Sequence, residues 1–68
     1  MASRLENRLR EARVAASWTQ AELAEQIGVS RKTINTVENG VFVPSTVLAL
    51  KLARALGVPV EQLFILVE

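Results

Sequence analysis

Between Gln20 and Gly40 the apolar or small positions Leu23, Ala24, Ile27, Val29, Ile34 and Val37 recur at helical spacing, with one interruption at Gly28. This pattern predicts two short amphipathic helices joined by a tight turn, each with one buried stripe and one polar face. Thr19 and Glu22 have the spacing of a capping box that opens the first helix, and Gly28 supplies the positive-φ residue that ends it. Ser30 can cap the second helix, and Asn39-Gly40 is a stop and turn signal. The predicted bounds are about 20–27 and about 31–38.

Upstream, Ser3 and Glu6 also have capping-box spacing, and Leu5, Leu9, Ala12 and Ala16 then repeat on one helical face. They predict a helix over about 4–16. Downstream, Pro44-Ser45 marks a fresh helix start, and residues 46–56 are apolar apart from Thr46, Lys51 and Arg54, up to Gly57. That helix is expected to be largely buried. After Val58-Pro59 a helical turn is expected near 60–63, followed by the apolar run Leu63, Phe64, Ile65, Leu66 and Val67.

The fold expected is all-α, five helices in one domain over 1–68, with a possible short C-terminal strand favoured by β-branched Ile65 and Val67. Five consecutive apolar residues exceed what so small a domain can enclose. Leu63, Phe64, Ile65, Leu66 and Val67 are therefore expected to form a homodimer interface, two 63–68 tails pairing across a twofold axis, the alternative being a tail that folds back over the fourth or first helix of its own chain.

Composition narrows the chemistry. A chain of 68 residues buries only about 60% of the surface its unfolded form exposes. Half of the residues are apolar but only Trp18, Phe42 and Phe64 are aromatic, so the core must be mainly aliphatic. The chain contains neither Cys nor His. Disulfides, thiolate ligands and the commonest general base and metal ligand are thereby removed, and no enzyme activity, cofactor or metal site is expected. The stretch MASRLENRLR is charged throughout, and no apolar run approaches the ~18 residues of a membrane span. A cytoplasmic protein without a membrane partner is expected.

The net charge of +1 says little, because a field depends on where the charges lie. The outer face of the 31–38 helix carries Arg31, Lys32, Asn35 and Thr36, with no acidic group before Glu38. A DNA major groove admits one helix, where Arg or Lys can reach guanine O6 and N7 and Asn can pair with adenine N6 and N7. Arg31, Lys32, Asn35 and Thr36 are the expected base readers on double-stranded DNA. Gln20, at a helix N-terminus, and Ser30, Thr33, Asn39 and Gly40 are the expected phosphate contacts. Ser30 and Thr33 serve equally well as helix caps.

The segments RLREAR, WTQAELAEQIGVSRKTINTVENG and PSTVLALKLARALGVPVEQLF, in that order, resemble the phage-repressor and Cro (Xre) family of helix-turn-helix regulators. The resemblance covers nearly the whole chain. It implies a five-helix, repressor-like domain that binds a pseudo-palindromic operator as a dimer and regulates transcription, most simply as a repressor. It implies a structural ion pair between Arg13 and Glu38, and a phosphate contact by Gln20. Two positions depart from the family pattern. Val41, Phe42 and Val43 stand where relatives often carry basic or polar residues, which leaves backbone amides as the phosphate donors of that loop. Ser17 stands where relatives often end the first helix with Gly, so it must adopt an unfavourable conformation or extend the helix. Trp18 is expected to plug the core. Alternative roles for such a chain are the antitoxin of a toxin-antitoxin pair, with a protein partner, or a restriction-modification controller.

Overall fold

Local hydrogen-bond chemistry sets most of the helix ends. In the computed structural model, which describes residues 3–68, α1 spans Leu9–Ala15, α2 Gln20–Ile27, α3 Arg31–Glu38, α4 Thr46–Leu56 and α5 Val60–Leu63. The Thr19 hydroxyl accepts from the Glu22 amide at 3.0 Å while the Glu22 carboxylate accepts from the Thr19 amide at 2.8 Å. Both partners of the capping box are thus in place. Ser30 and Ser45 cap α3 and α4 by accepting from the Thr33 and Leu48 amides, each at 3.1 Å.

The first four helices end alike. Trp18 N donates to Arg13 O, Val29 N to Ala24 O, Val41 N to Thr36 O and Val58 N to Ala53 O. Each closure needs one left-handed residue just before the donor. Glycine supplies it after α2, α3 and α4, but after α1 it is Ser17, at φ 63°, the one non-glycine residue with positive φ among the described residues. Of the two outcomes open to Ser17, the chain takes the strained conformation.

The N-terminal expectation needs correction. Residues 4–7 are not the first turn of a helix: β1 (Arg4–Asn7) pairs antiparallel with β2 (Phe64–Val67), Arg4 opposite Val67 and Asn7 opposite Phe64. Ser3 and Glu6 therefore form no capping box. The physical reason is non-local. The apolar tail needs a partner for its backbone, and the segment before α1 supplies one, a tertiary gain that overrides local helical spacing. Arg8 N continues the junction by donating to Leu63 O at 2.8 Å. Asn7 then opens α1 from one residue further out, its Oδ1 accepting from Leu9 N at 3.2 Å.

The core is aliphatic, built from Leu9, Leu23, Ala24, Ile34, Val37, Leu52, Ala53 and Leu63, with Trp18, Ile27, Val29, Leu48 and Phe64 packed against it. Ala24 of α2 is buried in this core, and Trp18 sits half-buried at its rim. Two expectations change here. Leu63, expected between chains, is 0% exposed within its own chain, because the turn of α5 points it inward. α4 is less buried than its composition suggested: Leu52 and Ala53 are enclosed, but Val47 and Leu50 are 63% and 53% exposed, since one helix face suffices to cover this core. Among the described residues no helix is long and apolar enough to cross a membrane.

Candidate nucleic-acid interface

Four residues from three helices meet around one carboxylate. The Glu38 side chain, at the end of α3, is fully enclosed. Its Oε2 accepts from Arg13 Nε at 2.6 Å, and its Oε1 accepts from Arg13 Nη2 at 3.3 Å, Arg10 Nε at 3.2 Å and Gln20 Nε2 at 3.1 Å. Arg13 and Arg10 come from α1, three residues apart and so on one face, while Gln20 opens α2. Burial opposes ionisation of Glu38, but the hydrogen bonds from Arg13, Gln20 and Arg10 outweigh it and hold the carboxyl below its ordinary range. Arg13 also donates through Nη1 to Trp18 O at 2.9 Å, so one guanidinium ties the strained α1–α2 turn to the end of α3. Removing the carboxylate would strand it.

This hub braces the helix that carries the expected readers. Arg31, Lys32 and Asn35 are exposed on one side of α3, opposite Ile34 and Val37, which are buried. Thr36 differs from the expectation. It is half-buried, and its hydroxyl lies 3.0 Å from both Lys32 O and Thr33 O, so its donor is directed back to the helix. With its donor so engaged, the Thr36 hydroxyl has only lone pairs to offer a ligand.

The expected phosphate contacts fall into two groups. Gln20 gives one Nε2–H to Glu38 and keeps the other, at the N-terminal end of α2. Ser30 is exposed, caps Thr33, and has its hydroxyl 2.9 Å from that of Thr33. The amides at the end of α3 tell against Gly40 as a backbone donor: Asn39 N, Gly40 N and Val41 N donate to Asn35 O, Val37 O and Thr36 O. These bonds close the helix, and a helix C-terminus carries partial negative charge, which opposes a phosphate. Asn39 keeps an exposed side chain, but one already engaged with Arg10 and Asn35.

Two residues of this region escaped the sequence pattern. Arg10 joins the hub and donates through Nη2 to Asn39 Oδ1 at 3.0 Å. Its spacing of three from Arg13 was a usable signal. Asn7 donates through Nδ2 to Val37 O at 3.0 Å, fastening the start of α1 to the end of α3. A helix assigned over this segment concealed its role. Phe42, 45% exposed, lines a shallow depression with Leu48, Lys32 and Thr36, so the apolar loop lies beside the polar face of α3. Among the described residues no group of His, Cys, Asp or Glu could hold a metal ion.

Comparison with known proteins agrees with this fold. A helix-turn-helix family model (HTH_3) matches residues 9–63. An HTH-type transcriptional regulator from Methanothermobacter thermautotrophicus is 49% identical over 61 residues, covering 88% of each chain. Among solved structures, the restriction-modification controller protein C.AhdI from Aeromonas hydrophila superposes with a TM-score of 0.76 at 40% identity, over 81% of this chain and 83% of that one. The hypothetical transcription factor NHTF from Neisseria superposes with a TM-score of 0.74 at 37% identity, over 79% of this chain, which spans 61% of that protein.

Proposed function

The chain belongs to the Xre-type helix-turn-helix family of DNA-binding transcriptional regulators, and on that premise we propose that it represses transcription as a homodimer on a pseudo-palindromic operator. Arg31, Lys32 and Asn35 read base edges in the major groove, with the Thr36 methyl group in apolar contact. Gln20 at the start of α2, with Ser30, Thr33 and Asn39, positions the backbone. The observation that carries this reading is the exposed Arg31, Lys32 and Asn35 on a helix fixed to its neighbours through Glu38. A reading helix must arrive in the groove at a set angle.

The homodimer rests on the two-stranded sheet. Leu66 is 62% exposed and its cross-strand partner Leu5 39% exposed, and among the described residues each strand pairs on one side, which leaves its other edge unpaired. Phe64, Ile65, Leu66 and Val67 remain the interface residues in this proposal, with Leu5 added and Leu63 returned to the core. A dimer that reads two half-sites must set its reading helices one DNA turn apart, ~34 Å, and this proposal assigns the twofold axis to the sheet. Action in the cytoplasm is part of this proposal. A second reading, control of restriction-modification genes, is favoured by the likeness to C.AhdI. The genes flanking the coding sequence separate the two, as they do the antitoxin alternative.

Selection of bound duplexes from a random pool tests the proposal. A symmetric consensus is expected, with binding that weakens steeply in salt. Arg31→Ala should lose about 1–3 kcal/mol and relax one base position per half-site. Equal binding of selected and scrambled duplexes would overturn it.

A further inference from the structure

The Glu38 hub extends outward along a chain of side chains that ends on the reading face. Arg10 is fixed at one end, its Nε donating to the enclosed Glu38 carboxylate at 3.2 Å. Its Nη2 donates to Asn39 Oδ1 at 3.0 Å, and Asn39 Nδ2 donates to Asn35 Oδ1 at 2.5 Å. The direction of this chain is set by chemistry. A guanidinium has only donors, so Asn39 must turn its oxygen toward Arg10. Its amide nitrogen then faces Asn35, which in turn must present oxygen to it. The Asn35 oxygen keeps one lone pair but is turned toward Asn39, so the end of the amide directed to a ligand is Nδ2, a donor.

We propose that Arg10 is a specificity-setting positioning residue, which acts through Asn39 to hold Asn35 with its amide N–H groups toward the DNA. The inference rests on the reading of α3 as the base-reading helix and adds the chemistry of one base contact. An amide whose oxygen is engaged by Asn39 favours a base edge made of acceptors. In the major groove guanine presents O6 and N7, both acceptors, whereas the bidentate contact to adenine requires an oxygen for N6–H as well as a donor for N7. Asn35 therefore selects guanine over adenine. Arg10 itself touches no base.

The test compares base preferences of wild type, Asn35→Ala, Arg10→Met, Arg10→Lys and Asn39→Ala on duplexes varied at each position of the selected site. Asn35→Ala identifies the position that Asn35 reads, by flattening it. At that position wild type is expected to favour guanine over adenine, and in Arg10→Met and Asn39→Ala the ratio should fall by about five- to tenfold. Arg10→Lys, which keeps a donor on a long stem, should restore most of it. A ratio is insensitive to the uniform loss of affinity that follows from losing a charge or a phosphate contact. The melting midpoint of Arg10→Met, with Glu38 still bonded to Arg13 and Gln20, verifies that the variant is folded. An unchanged ratio in Arg10→Met and Asn39→Ala, a wild-type preference for adenine, or an Asn35→Ala variant that flattens no position would overturn the inference while leaving DNA reading intact. Failure of wild type to discriminate among duplexes would overturn both.

Discussion

The two ends of this small domain are closed by different means. Around Glu38, α1, α2 and α3 are joined by directional polar bonds from Arg10, Arg13 and Gln20, and no buried side-chain nitrogen or oxygen lacks a partner among the described residues. At the sheet, β1 and β2 are joined by a backbone ladder, and apolar side chains remain exposed on the outside. The first end is chemically finished, which suits a helix that must keep one orientation. The second has surface to spare, which suits contact with another chain. On the proposed reading, rigidity and association occupy separate places in a short sequence.

Breaking the polar end should have the largest effect. Glu38→Gln leaves Arg13 enclosed without its charge partner, and the fold should lose about 3–5 kcal/mol, a large share of a small domain's stability. The thermal midpoint should fall by more than about 10 °C, and a midpoint within a degree or two of wild type would mean that the hub is dispensable. At the sheet end, Leu66→Lys puts a charge on the proposed contact. Sedimentation should reveal association weakened by about 1.5–3 kcal/mol per Leu removed from the interface, with little change in the melting of the monomer. A dimer of undiminished strength would place the interface elsewhere.

Acid sharpens the contrast more gently. The carboxyl of Glu38 is held below its ordinary range in the folded chain, so its contribution is complete above the unfolded value and is lost as pH falls through the depressed folded value. Glu22, lowered by the bonds from Thr19, acts in the same sense. Chemical denaturation followed down through this range should find stability declining in wild type and declining less in Glu38→Gln. The smallest effect is expected at the turn between α1 and α2. Ser17→Gly removes the Cβ from a left-handed residue and should stabilise the fold by about 0.5–1 kcal/mol, read as a higher denaturation midpoint. A destabilised Ser17→Gly would mean that the serine side chain makes a contact outweighing the strain.

What sequence alone determined was the chemistry that acts within four residues of the chain. The capping box of Thr19 and Glu22, the caps Ser30 and Ser45, the left-handed Gly28 and Gly40 and the apolar stripes of α2 and α3 all lie at the positions their spacing predicts. The closeness of Arg13 to Glu38 was legible only through family resemblance, since nothing in a spacing of 25 residues joins them. What only the tertiary structure decided lies at longer range. Leu5 and Leu9 have helical spacing, yet residues 4–7 pair with a tail some 60 positions away, because a sheet ladder satisfies backbone groups that a helix start would leave to the solvent. Leu63 reads as surplus until α5 turns it into the core, and Arg10 reads as one more surface charge until Glu38 and Asn39 are brought beside it. Local bonds form wherever the right residues are near in sequence, whereas these contacts exist only once the helices have packed.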